Sequence, residues 1–242
     1  MAHFYLSEAV TDCSVGETVE VTGAEARHAV AVGRLRAGES LSVGDGLGTV
    51  ASGVVSETGT DRFCLEVQAI RVTEESSPAL WLAQALAKND RDELAVQAAT
   101  ELGVDGVVPW AAGRSIVKWE GAKIRKHEER WATILREAGK QSMRSRFPTL
   151  RPLASSADIA KLGARFHLVV LDPAGQVPLS GLVPDDRDIL LVVGPEGGIA
   201  PAELSRFAGA GGTIARLGES ILRASTAGPA AIAVLNGALG RW

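Results

Sequence analysis

The chain has 242 residues, 46% of them hydrophobic and 22% charged, with a formal net charge of -4. This composition provides for a substantial core and excludes the weakly hydrophobic, highly charged make-up of a disordered chain. Cys13 and Cys64 stand far apart with no second Cys or His at ligand spacing, which argues against a disulfide framework and against a metal site. No stretch reaches the roughly 18 apolar residues of a membrane span, and the N-terminus lacks a basic region followed by an apolar core, so a soluble cytoplasmic protein is expected.

In chain order, residues 1–75 read as short strands separated by turns. Val15 to Val21 alternates valine with polar residues, as a half-buried strand does. Ala24 to Leu35 is helix-like, and the stretch from Gly38 to Val72 gives three or four strands punctuated by Gly44-Asp45-Gly46 and Gly59. Strands closing on themselves with one short helix predict a compact barrel. The polar, Pro-bearing segment that ends at Pro78 and Ala79 marks a domain boundary, giving units 1–75 and 76–242.

From Leu80 the rhythm changes to that of an α/β domain. Apolar strands are predicted at 80–87, 104–110, 166–172, 188–194 and 213–218. Helices are predicted at 90–102, 128–141, 201–209 and 226–239. Strands apolar on both faces alternating with helices predict a parallel sheet covered on both sides. Between Arg114 and Arg146 lie ten Lys/Arg and four Glu, a net +6 that leaves -10 for the rest of the chain. Such segregation fits a phosphate-binding face, and equally a solvated helix carrying ion pairs such as Arg125 with Glu129. The four histidines, His3, His28, His127 and His167, are scattered. His167 is expected to be structural, and Trp110, Trp119 and Trp131 to be core.

Two loops are the candidates for carrying the chemistry, the first of them being either a ligand-binding turn or simply a tight βα turn. In Gly194-Pro195-Glu196-Gly197-Gly198, a buried strand runs into a glycine-rich turn, and a helix follows with Pro201 in its first turn. Ligands of open α/β sheets bind outside the carboxyl ends of the strands, where this loop sits, and glycines admit close approach to the backbone. The spacing is neither that of a Walker loop nor GxGxxG. About twenty residues on, Leu217-Gly218-Glu219-Ser220-Ile221-Leu222-Arg223 again links a strand to a helix. Arg223 precedes a helix start, where the dipole disfavours a cation, so it is either a surface arginine or an anion or base contact.

These loops resemble the C-terminal half of the RsmE family of 16S rRNA uridine-N3 methyltransferases. The resemblance extends to Gln97, Ala99-Thr100-Glu101-Leu102-Gly103-Val104, Pro109, Arg114-Ser115, Arg130-Trp131, Glu137-Ala138, Gln141-Ser142, Arg144 and Pro148, and to His28 and Arg34-Leu35-Arg36 near the N-terminus. It departs at Ala98, where the family usually has Lys. The resemblance implies a SPOUT-type parallel sheet with a C-terminal trefoil knot, a small N-terminal PUA-like β-barrel, and a homodimer. It implies S-adenosylmethionine bound by Leu171, Gly194, Glu196, Gly197, Gly198, Leu217, Gly218, Ile221, Leu222 and Thr226.

The implied substrate is a uridine near the decoding centre, in 16S rRNA of the small subunit or its assembly intermediate. His28, Arg34, Arg36, Arg114, Lys118, Gln141 and Arg144 are the candidate RNA contacts. Because arginine cannot act as a base, Arg223, Arg144 and Arg114 are candidates for electrostatic activation of the uridine, with Glu101, Glu137 and Glu196 as conceivable bases. Two alternatives are a SPOUT ribose 2′-O-methyltransferase, whose last motif reads unlike ILRASTA, and a non-catalytic RNA-binding assembly factor.

Overall fold

The computed structural model describes residues 4–242, so His3 lies outside them. The chain forms two compact units. One runs to Glu75 and includes Gly139–Phe147; the other comprises Ser76–Ala138 and Pro148–Trp242. The segment 139–147 thus groups with the N-terminal unit, although it is remote from it in sequence.

The N-terminal unit is built on a five-stranded sheet of order β1-β3-β4-β5-β2. Its strands are β1 (Phe4–Leu6), β2 (Thr18–Thr22), β3 (Ser40–Gly44), β4 (Thr49–Thr58) and β5 (Arg62–Val72). The β1–β3 ladder is parallel and the others are antiparallel. Among the described residues no ladder joins the end strands β1 and β2, so the expected barrel is not closed by hydrogen bonds. Val19 and Val21 are buried while Thr18, Glu20 and Thr22 are exposed, the alternation expected of a strand with one wet face.

The helix expected over Ala24 to Leu35 is shorter and irregular. Helix α1 (Gly23–Arg27) passes into a widened turn over His28–Val32, in which Gly33 N–H reaches the His28 carbonyl at 3.0 Å. It ends at Gly33, where a Cβ would lie 2.7 Å from the Ala29 carbonyl oxygen and 2.9 Å from the Tyr5 hydroxyl. Arg34 then turns the chain with φ of +53°. In the same unit Lys140 and Glu25 form an ion pair at 3.1 Å with both side chains 12% exposed, and Phe147 N–H donates to the Gly46 carbonyl at 2.9 Å.

The C-terminal unit holds an all-parallel sheet of order β11-β13-β10-β12-β6-β7-β8, with β9 also pairing β7. Its strands are β6 (Leu80–Ala85), β7 (Gly106–Ala111), β8 (Thr149–Leu150), β9 (Ala154–Ser155), β10 (His167–Leu171), β11 (Val177–Pro178), β12 (Ile189–Val193) and β13 (Thr213–Arg216). Its helices are α2 (Arg91–Glu101), α3 (Lys123–Gln141), whose last turn belongs to the other unit, α4 (Ser156–Leu162), α5 (Pro201–Gly209) and α6 (Ala224–Ala238).

All five residues of β12 are buried, because both sheet faces are covered. One face packs Leu82, Val96, Trp131, Leu135, Leu191 and Ile232 together; the other packs Val108, Trp110, Leu190, Val192 and Phe207. Trp110, Trp119 and Trp131 are all buried, as expected, with Trp119 stacked on His127 at 4.9 Å. His167 is buried and its Nε2 lies 3.1 Å from the Thr213 hydroxyl. Arg125 and Glu129 form the expected ion pair at 2.8 Å, and Arg130 engages Glu93 of α2 through two hydrogen bonds. No helix among the described residues is long and apolar enough to cross a membrane, and they contain no cluster of His, Cys, Asp and Glu that could hold a metal ion.

Candidate cofactor pocket

A parallel sheet directs the carboxyl ends of all its strands to one edge, so the loops that follow them share one rim. Here the loops after β10, β12 and β13, with the start of α6, enclose a cavity of about 350 Å³, within the range of small-molecule sites. Leu171, Val193, Ile199, Leu217 and Leu222 supply apolar wall, and Asp172, Glu196, Arg91 and Arg223 place charge at its margin.

The turn after β12 is shaped by its glycines. Gly198 N–H donates to the Pro195 carbonyl at 2.9 Å, closing a four-residue turn, and Gly198 has φ of +70°, a conformation that L side chains rarely adopt. At Gly194 a Cβ would lie 2.7 Å from Ile199 Cγ1. Glu196 faces α2: its Oε1 accepts from Lys88 N–H at 3.0 Å and lies 3.4 Å from Arg91 Nη1.

The loop supplying Lys88 turns through Asn89 and Asp90, both left-handed, with φ of +55° and +54°. Asn and Asp tolerate that region best among residues with a Cβ. Asp92 holds the loop, its Oδ2 accepting from Ala87 N–H at 3.0 Å and its Oδ1 from Glu93 N–H at 2.9 Å. Burial pushes the Asp92 carboxyl up from its ordinary pKa, partly opposed by those N–H groups.

Residues 74–236 match the RNA methyltransferase domain family, and residues 21–68 match the RNA methyltransferase PUA domain. The chain is 36% identical, over 94% of its length and 89% of the relative's, to ribosomal RNA small subunit methyltransferase E of Mycobacterium bovis. It is 29% identical to the protein of the same name from Bacillus subtilis, over 94% of this chain and 93% of the relative. The chain belongs to the ribosomal RNA small subunit methyltransferase E family. A family structure from Neisseria gonorrhoeae, bound to S-adenosyl methionine, superposes with a TM-score of 0.87 at 27% identity, covering 98% of both chains. A methyltransferase from Legionella pneumophila in complex with the same cofactor gives a TM-score of 0.86 at 25% identity, again over 98% of each chain.

Within this family frame, the structure distributes the residues singled out from sequence as follows. Leu171, Gly194, Glu196, Gly198, Leu217, Gly218, Ile221 and Leu222 line the cavity; Gly197 and Thr226 lie outside its lining. Arg223 lines it as well, and its guanidinium makes no hydrogen bond or ion pair among the described residues. Arg114 does not line it. Arg114 Nη1 donates to the Gly197 carbonyl at 3.0 Å and lies 3.5 Å from that of Ile199, so it holds the glycine turn from outside.

Arg144 and Gln141, with exposed His28, Arg34 and Arg36, belong to the N-terminal unit, while exposed Lys118 belongs to the C-terminal one. Of the three carboxylates considered as bases, only Glu196 lines the cavity; Glu101 accepts from Gln97 at 3.1 Å on α2. Ala98 is half-buried on α2, and nothing in the structure explains its departure from the usual lysine. Sequence reasoning missed Arg91, the first residue of α2, and Asp172, the residue after β10; both stand on the rim at element ends, a position that could have flagged them.

Proposed function

We propose that this chain transfers the methyl group of S-adenosylmethionine to N3 of a uridine in 16S ribosomal RNA of the small subunit, near the decoding centre. The observation that carries the reading is the convergence of two sequence-distant loops, 194–199 and 217–223, on one cavity at the carboxyl edge of the sheet. The cavity fits the cofactor: its walls are apolar where a nucleoside would pack, glycines leave backbone open at Gly198 and Gly218, and charged side chains stand at the margin. Leu171, Gly194, Glu196, Gly198, Leu217, Gly218, Ile221 and Leu222 would hold it, with Gly197 and Thr226 supporting the turn and the helix start. When bound, S-adenosylmethionine supplies an electrophilic methyl on a sulfonium.

Uridine N3 bears a proton and becomes a good nucleophile when that proton departs. A fixed cation beside O2 or O4 stabilises the resulting uridinate, and a guanidinium remains charged throughout. Arg223 is the residue we assign to this role, since its guanidinium stands at the cavity without another partner among the described residues. In the same reading Arg144, Gln141, His28, Arg34, Arg36 and Lys118 contact RNA, while Arg114 acts through the loop it holds. A second assignment concerns the proton. Glu196 lines the cavity with Oε1 held by Lys88 and Arg91 and with Oε2 unbonded among the described residues, the arrangement of a candidate acceptor.

The reading also includes a homodimer, a cytoplasmic location and a SPOUT-type trefoil knot. Exposed Leu94, Ile221 and Leu222 offer apolar surface in the C-terminal unit, in keeping with a dimer contact. The knot accords with the strand order, in which the late strand β13 sits beside β10 and α6 returns to pack on α2, β6 and β12. The test is transfer of labelled methyl to small subunits lacking the modification, followed by nucleoside analysis. Appearance of 3-methyluridine supports the proposal; a 2′-O-methylated nucleoside overturns the substrate atom; absence of both transfer and cofactor binding favours the assembly-factor alternative.

A further inference from the structure

Glu203 is buried in the first turn of α5, where its place in the sequence accounts for it as an acidic residue favoured by the helix dipole. Its contacts go further. Oε1 accepts from Gly113 N–H at 2.8 Å and from the Ser156 hydroxyl at 2.5 Å, and Oε2 accepts from Ala200 N–H at 3.0 Å. Ser156 Oγ in turn accepts from Trp110 Nε1 at 3.1 Å, tying the carboxylate to the buried end of β7.

The next residue after Gly113 is Arg114, whose Nη1 reaches the Gly197 and Ile199 carbonyls. Ile199 C=O and Ala200 N–H are the two ends of one peptide group. That peptide is therefore held at its oxygen by a guanidinium and at its nitrogen by a carboxylate. Both holders are joined through residues 113–114, and Ser115 anchors this loop by donating to the Leu86 carbonyl at 2.8 Å.

The clip has no slack. A Cβ at Gly113 would stand 3.3 Å from Glu203 Oε1, and one at Gly197 would stand 3.3 Å from Arg114 Cβ. Ile199, Gly198 and Gly194, on the inner side of the same turn, line the cavity.

We propose that Glu203 and Arg114 act together as positioning residues that set the shape of the glycine turn and thereby the affinity of the pocket for S-adenosylmethionine. The proposal rests on the cofactor reading above. An ionised carboxylate is needed because all three partners are donors. In Glu203→Gln one position of the carboxylate becomes an NH₂. It meets a donor with a donor, which frees either Ala200 N–H or the Gly113 and Ser156 pair.

The experiment is calorimetric titration of S-adenosylmethionine into the wild type, E203Q, R114A and the double variant, with thermal melting of each unliganded protein. Methyl-transfer kinetics follow, varying cofactor and RNA separately. E203Q is expected to weaken the cofactor Kd about tenfold, the scale of one hydrogen bond to a charged group. KM for the cofactor should rise in parallel, while KM for RNA stays level. The double variant should fall short of the product of the single effects, because both residues act on one peptide.

Unchanged Kd in E203Q, or independent multiplication of the two effects, overturns the proposal. So does a lowered Tm with cofactor and RNA KM rising together, since that is a plain loss of stability. Should E203Q fail to fold, S156A removes a single bond to the same carboxylate. It is expected to weaken Kd by about threefold, and an unchanged value overturns the proposal equally. Failure of the wild type to bind S-adenosylmethionine would sink the cofactor reading itself, whereas equal binding by all variants would sink only the clip.

Discussion

Arg223 and Arg114 are both arginines near the glycine turn, yet their surroundings separate their roles. Arg114 is engaged with carbonyls of the turn, while Arg223 stands at the cavity with no partner among the described residues. Replacing Arg223 by Ala is expected to lower kcat at saturating substrates about 100-fold, the scale of losing one preorganised charge-stabilising donor. Normal turnover in that variant would remove Arg223 from the mechanism. Gly198→Ala places a Cβ on a residue with φ of +70°, at an expected cost of about 1 kcal/mol. Urea unfolding should register that loss, and calorimetry a weaker cofactor Kd, since the residue that strains is itself cavity wall. The glycines of this turn were legible from sequence because only a backbone reason explains so many of them together. Glu203 was legible only as a helix-start acid, because its partners Gly113 and Ser156 lie 90 and 47 positions away.

At the scale of elements, the long ones were readable and the short ones were not. Helix α5 was expected over Pro201 to Gly209 and is found there, its start set by Pro201 and by the Glu203 carboxylate accepting from Ala200 N–H. Helix α4 went unread, although Ser155 and Asp158 form a reciprocal cap at its start. Seven residues show too little periodicity to stand out, and the two-residue strands β8, β9 and β11 show none. Ser155→Ala is expected to cost about 1 kcal/mol of stability in chemical denaturation.

The same cap predicts a pH effect. Hydrogen bonding to Ser155, aided by Lys161, lowers the Asp158 pKa from 3.8 to about 2. Its contribution is therefore complete above pH 3.8 and is lost as pH falls toward 2. His167 in β10 is held below its ordinary value of 6.5 by burial, with Arg187 adding to the shift and Asp185 opposing it. Below pH 6.5 the unfolded chain takes up this proton before the folded one does, so stability declines as pH drops through that window. Unfolding midpoints measured between pH 7.5 and 5.5 should show the decline in the wild type and a flatter profile in His167→Gln.

For the whole molecule, a chain of net charge -4 that concentrates +6 between Arg114 and Arg146 separates its charge along the sequence. RNA affinity should then fall steeply with salt, and Lys118→Ala should weaken binding to all RNA sequences alike while reducing the log–log salt slope by about 1. An unaltered slope would place Lys118 away from phosphate. Part of the basic stretch is engaged within the protein: Arg130 with Glu93, Arg125 with Glu129, and Lys140 with Glu25. The stretch also divides, since 139–147 group with the N-terminal unit. No periodicity could show that division, because it depends on where Phe147, Arg146 and Lys140 find partners that are distant in sequence.

The sequence by itself determined the α/β character of the C-terminal unit, the place of the two loops at strand ends and the family. All of these follow from local patterns: apolar runs of strand length, glycines at strand-to-helix turns, and blocks in a fixed order. The sequence also placed the two loops at one pocket; tertiary structure alone decided which of their residues line it, that Arg114 faces the turn while Arg223 faces the cavity, and that one buried carboxylate clips the turn in place. Those outcomes depend on contacts across 20 to 100 residues, which arise when the parallel sheet brings strand ends to a common edge; nothing within a local window of sequence encodes them.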